Sequence, residues 1–61
     1  MKCKLKRIES GLTQKELAAL VGTSNVTIVA IEKGKIDSVR FGTLKRIAEV
    51  LNCSVSELFL N

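Results

Sequence analysis

Histidine, proline, tyrosine and tryptophan are all missing from this chain of 61 residues. Without histidine, the side chain that titrates near neutral pH and most often binds metals is gone. Cys3 and Cys53 are the only cysteines. They lie far apart in sequence, whereas a structural zinc site needs about four Cys or His ligands. No metal and no cofactor is therefore expected. Neither cysteine has a basic partner resembling a catalytic pair, and Glu49 and Glu57 read as ordinary helix-surface acids, so no enzymatic activity is expected. Phe41 and Phe59 are the only aromatic residues. Binders of single strands stack bases on exposed aromatics, and this chain cannot build such a platform. Long apolar runs are absent too. The longest, Leu17 to Val21, is far short of the roughly 20 residues of a membrane span. The amino end, MKCKLKR, is basic but lacks the apolar segment of a secretory signal. A cytoplasmic protein with two reduced thiols is the expectation.

Charge is what the chain does have. Ten Lys and Arg against six Asp and Glu leave a net charge of +4, with an isoelectric point near 9.4. A basic balance of this kind points to a polyanionic partner. With no aromatic platform, a duplex fits better than a single strand. The length allows one domain, residues 1–61, with a modest core.

Along the chain, short helices alternate with legible stops, and no segment alternates apolar and polar as a half-buried strand does. A first helix is expected over residues 2–10, from the spacing of Leu5 and Ile8, with Gly11 as its stop. Thr13-Gln14-Lys15-Glu16 is a capping box that opens a second helix. Leu17, Leu20 and Val21 form its expected core stripe, and Gly22 ends it. Ser24 caps a third helix that runs to about residue 33, with Gly34 just beyond. A fourth starts at Arg40 or Phe41, where Phe41, Leu44, Ile47, Ala48 and Leu51 recur at helical spacing. Asn52 is a left-handed stop. Ser54-Val55-Ser56-Glu57 is a second capping box, opening a fifth helix that ends at Leu60. The fold class is all-α, with five short helices.

Between the second and third helices the spacing becomes specific. Ala18 is followed by Gly22, then Ile28, then Ile31. Ala18 allows two helices to cross closely, and Gly22 lets the turn adopt a positive φ. Ile28 and Ile31 lock the third helix onto Leu17 and Val21. This is the pattern of a helix-turn-helix. From Lys4 to Phe59 the chain resembles the XRE family, the DNA-binding domains similar to lambdoid phage repressors and Cro proteins. GLTQKELAALVG, TIVAIEKGK and TLKRIAEVLNCSVSELF carry the resemblance.

The resemblance implies a role for individual residues. Gln14, in the first turn of the second helix, matches a glutamine that contacts a DNA phosphate and braces the first residues of the third helix. Arg7 and Glu32 match a structural ion pair joining the first helix to the end of the third. Ser24, Lys33, Lys35 and Arg40 are expected at the DNA backbone, where contacts orient a protein without reading sequence. Arg40 matches a position from which some relatives reach towards the minor groove. Lys2, Lys4 and Lys6 carry less weight, and Lys45 and Arg46 are expected in solvent.

A helix turns about 100° per residue. With Ile28 and Ile31 inward, Val26, Val29, Ala30 and Lys33 share the opposite side, flanked by Asn25 and Thr27. Relatives carry Gln, Arg, Ser or Asn on that face, whereas here it is mostly methyl groups. In one reading the face enters the major groove of double-stranded DNA. Asn25 then pairs with adenine, Val26 and Val29 pack on thymine methyls, and Thr27 and Ala30 complete the contact. In the other, the face docks a partner protein, as an antitoxin-like or antirepressor-like module would.

One such helix covers only a few base pairs, so a homodimer on a two-fold operator is expected, with half-site centres about 34–36 Å apart. Relatives pair around the fifth helix, which here offers Val55, Phe59 and Leu60 as exposed candidates, with Leu58 in the core. With the chain ending at Asn61, no sensor domain and no small-molecule ligand are expected. The function implied by the resemblance is a Cro-like repressor, natural to a phage or other mobile element, that excludes polymerase from a promoter.

Overall fold

The computed structural model describes residues 1–60; Asn61, the last residue of the expected domain, lies outside the described residues. Five helices follow in order: α1 (Cys3–Glu9), α2 (Gln14–Val21), α3 (Asn25–Glu32), α4 (Phe41–Val50) and α5 (Val55–Phe59). No strand occurs among the described residues, so the chain is all-α.

Local chemistry sets most of the boundaries. The Thr13 hydroxyl accepts from the Glu16 backbone N–H at 3.0 Å, and the Glu16 carboxylate accepts from the Thr13 N–H at 2.9 Å. Ser54 and Glu57 repeat the reciprocal pair at 3.0 Å in both directions. Each box satisfies N–H groups that a helix start otherwise leaves unpaired. Ser24 caps α3 by accepting from the Thr27 N–H at 3.1 Å. α2 ends on Gly22 with φ 83°, and the turn after α4 puts Asn52 at φ 56°, the left-handed region that Gly and Asn tolerate best.

The core gathers around Leu17, Ile28, Ile31, Ile47 and Leu58, all fully buried, together with Cys3. α2 packs against both α3 and α4, while α1 spans α3 and α5. A bond from the Lys2 N–H to the Leu58 carbonyl, 3.0 Å, ties the two ends of the chain together.

Several expected core positions face outward instead. Leu5 and Ile8 are exposed, and α1 turns Cys3 and Arg7 inward. The i, i+4 pair and the i, i+3 pair lie on opposite sides of so short a helix. Leu20 is exposed because α2 buries Leu17, Ala18 and Val21. That stripe is centred between Leu17 and Ala18, and Leu20 lies roughly 110° away at about 100° per residue. Phe41, the first residue of α4, is exposed at the open end of its helix. Phe59 departs in the other direction. It was expected among exposed candidates for dimer contact, but is only 7% exposed. α5 packs on both α4 and α1, so the adjacent Leu58 and Phe59 each find a wall. Val55 is half-buried and Leu60 exposed.

Candidate nucleic-acid interface

α3 is short, and its orientation depends on what grips it. On the inner side Ile28 and Ile31 are buried without remaining exposure. At the carboxyl end Glu32 is held by three donors. Arg7 Nε lies 2.6 Å from Oε2, Arg7 Nη2 donates to Oε1 at 3.2 Å, and Gln14 Nε2 donates to the same oxygen at 3.0 Å. Arg7 Nη1 also donates to the Leu12 carbonyl at 2.8 Å. The paired side chains are 10% and 3% exposed. In so dry a setting each charge depends on its partner. The hydrogen bond to Glu32 raises the Arg7 pKa further above its usual value, against the opposing effect of burial. Cys3, enclosed beside the pair, has its thiol pushed up to about 11, first by burial and then by the nearby Glu32 carboxylate.

This network joins α1, the start of α2 and the end of α3. Gln14 therefore braces the last residue of α3, which differs from the expected brace at its first residues. The reason is local: Glu32 offers a carboxylate oxygen at 3.0 Å, while the start of α3 is already satisfied by Ser24. The Ser24 hydroxyl also lies 2.9 Å from that of Thr27, so both are engaged with each other before any partner arrives.

The outward side of α3 is narrower than helical spacing alone suggests. Val26 is 77% exposed, and Asn25 and Lys33 are exposed beside it. Thr27, Val29 and Ala30 are half-buried. After α3 the chain turns back, the Lys35 N–H donating to the Ala30 carbonyl at 3.0 Å.

That return creates a groove of about 320 Å³ between α3 and the segment leading into α4. Lys35 and Arg40 line it with the hydroxyl-bearing Ser38 and Thr43, and Thr23 and Thr27 line the opposite wall. Val26, Ala30 and Val39 supply its apolar surface. The structure thus brings Val26, Thr27, Ala30, Lys35 and Arg40 together, with Asn25 and Lys33 on the adjoining surface of α3. Val55, Phe59 and Leu60 belong to α5 and its end, a separate part of the chain. Thr23, Ser38, Val39 and Thr43 went unremarked in the sequence. Ser38 and Thr43 carry a compositional signal, since they fall with Lys35 and Arg40 in a stretch whose single acid is Asp37; Thr23 and Val39 carry none.

No group of three or more metal-ligating side chains occurs among the described residues. Nor is any helix of the described residues long and apolar enough to cross a membrane.

Comparison with known proteins adds a consistent picture. A family model described as Helix-turn-helix, HTH_3, matches residues 4–58. A protein of Archaeoglobus fulgidus named an uncharacterized HTH-type transcriptional regulator is 44% identical over 55 residues, covering 88% of this chain and 76% of that protein. A protein of the same description from Methanocaldococcus jannaschii is 41% identical over 63 aligned positions, covering 98% of this chain and 92% of its own length. No solved structure matches the chain significantly.

Proposed function

Because the chain belongs to the XRE-type helix-turn-helix family, we propose that it is a sequence-specific transcriptional regulator that binds double-stranded DNA with α3 in the major groove. The observation that carries this reading is the mounting of α3. Its inner side is locked by Ile28 and Ile31 and its end by the Arg7–Glu32–Gln14 network, while Asn25, Val26 and Lys33 stand outward. A rigid element holding a few side chains at a surface is what base reading requires.

Asn25 is proposed to pair with adenine N6 and N7, and Val26 to pack on a thymine methyl, with Thr27, Val29 and Ala30 completing the contact. Lys33, Lys35 and Arg40 are proposed at phosphates, with Gln14 and Ser24 at the edge of that contact. We take residues 1–61 as one such unit, cytoplasmic and without catalytic chemistry of its own. The molecule measures 23 × 20 × 18 Å along its principal axes. One copy cannot bridge half-sites about 34–36 Å apart. We therefore propose a homodimer on a palindromic operator, repressing in the manner of Cro by covering a promoter, a reading that the small size of one copy supports. Leu60 and the half-buried Val55 remain the surface offered by α5.

The strong exposure of Val26 also suits a second reading, in which the face docks a partner protein. Two substitutions separate the readings. Asn25→Ala should relax preference at one base pair by about 1–3 kcal/mol of discrimination. Val29→Lys should disturb a thymine contact and lower specific affinity. If both variants keep the wild-type sequence preference, α3 does not read bases and the protein-docking reading replaces it.

A further inference from the structure

The outward side of α1 has no part in the contacts proposed above. Cys3 and Arg7 turn inward, while Leu5 and Ile8, three residues apart, stand outward at 54% and 55% exposure. Single exposed apolar residues are ordinary, and only a contiguous patch calls for an explanation. Here the patch extends beyond the helix. The Lys2 N–H is bonded to the Leu58 carbonyl, which brings the exposed Met1 and Leu60 to the amino end of α1. Lys2 and Lys6 also reach towards α5. They help to lower the Glu57 carboxyl, after the larger effect of its bonds to Ser54. Charge is sorted along the helix as well. Lys2, Lys4 and Lys6 occupy its amino half, and Glu9 stands at its carboxyl end. Lys6 meets Glu9 at 3.7 Å, a surface pair of little worth, so Glu9 is open to a better partner.

We propose that a second copy of this chain covers this face, with α1 lying antiparallel to its counterpart across a two-fold axis. An axis that crosses between Leu5 and Ile8 sets Leu5 of each copy beside Ile8 of the partner subunit. Lys2 and Glu9 are seven residues apart and share one flank of the helix. The same axis therefore brings Glu9 towards Lys2 of the partner subunit. A parallel pairing would set lysines against lysines, and a purely acidic partner would meet Glu9. The face is complementary to itself, as a closed two-fold dimer requires. This inference rests on the homodimer reading and names its surface, α1 with Leu60, in place of the buried Phe59. Leu5 and Ile8 point away from Arg7, which grips the end of α3, so pairing leaves that grip intact. A stable interface engages about 20–30 residues a side, more than α1 and the end of α5 provide. The pairing is therefore weak in free solution and is completed on DNA.

The test uses the whole chain, first without DNA. Sedimentation equilibrium is expected to show monomer and dimer in exchange at high micromolar concentration. Leu5→Lys, at an exposed position that the core does not use, should weaken self-association by about tenfold or more. Glu9→Lys should weaken it severalfold, and Lys2→Glu combined with Glu9→Lys should restore it. Binding is then measured on the palindrome enriched from a random pool of duplexes. Two copies should bind it cooperatively, and Leu5→Lys should remove the cooperativity while leaving affinity for a duplex with one half-site unchanged. Self-association lost in Leu5→Lys supports the inference even if no duplex is bound. If self-association and cooperativity survive both Leu5→Lys and Glu9→Lys, the copies pair elsewhere, so the homodimer stands and this inference is overturned. If the wild type stays monomeric at every concentration and fills two half-sites without cooperativity, the homodimer reading is overturned with it, and the face is left to another protein.

Discussion

Gly22 shows how much a single residue decides. Its φ of 83° closes the turn between α2 and α3, and its N–H returns to the Ala18 carbonyl at 2.9 Å. A Cβ added there would meet nothing within 4 Å, so replacement costs backbone strain and not a clash. Gly22→Ala is expected to destabilise the protein by about 1–2 kcal/mol, measurable by urea unfolding, with little change in the fold. A loss well beyond that would mean the turn also constrains packing. Such residues are legible in a sequence because their requirement is local. Gly22 and Asn52 announce left-handed backbone through their own chemistry, and both adopt it.

Elements are legible at their ends more than at their faces. The two capping boxes contain all their partners within four residues, and the spacing alone placed them. Their carboxylates also make a pH prediction. Backbone N–H donors from Thr13 and Ser54 hold Glu16 and Glu57 below the ordinary value of 4.5. The unfolded chain therefore binds these protons more readily than the folded one. The stabilisation is complete above the ordinary carboxylate range and is lost as pH falls through the lowered folded values. Glu16→Gln with Glu57→Gln keeps the accepting oxygens but removes the charge, so the decline of melting temperature below about pH 4.5 should flatten. An unaltered acid limb would show that other carboxylates cause it.

Which side of a helix is buried is a different matter. Leu5, Ile8 and Leu20 announced helices correctly and their inner faces wrongly, because the wall lies on other elements. α1 turns Arg7 inward because Glu32, 25 positions away in sequence, meets it there. Breaking that pair from one side should be severe. Arg7→Met alone is expected to cost about 3–5 kcal/mol by leaving Glu32 buried without its counter-charge. Arg7→Met with Glu32→Met should recover most of that loss in equilibrium unfolding. A double variant no more stable than the single one would contradict the pairwise account.

At the scale of the molecule, the arrangement is a small core that holds α3 by one face and one end. The groove beside α3 could not be foreseen. Its walls come from positions 23 to 43, and only the return of the chain onto Ala30 brings them together. The outward face is narrow as well, since Thr27, Val29 and Ala30 are half-buried. In the proposed function, base reading then concentrates on Asn25 and Val26, with the cations of Lys33, Lys35 and Arg40 around them. Such an interface predicts a modest number of base contacts and a large electrostatic contribution.

The measurement that addresses this most directly is selection of bound duplexes from a random pool, followed by the salt dependence of the best binder. The account predicts an enriched palindrome with A·T pairs where Asn25 and Val26 meet each half-site. It also predicts that affinity falls steeply with salt, with a log–log slope of about −0.9 for each phosphate neutralised. A slope near zero, or a pool in which no palindrome is enriched, would contradict it.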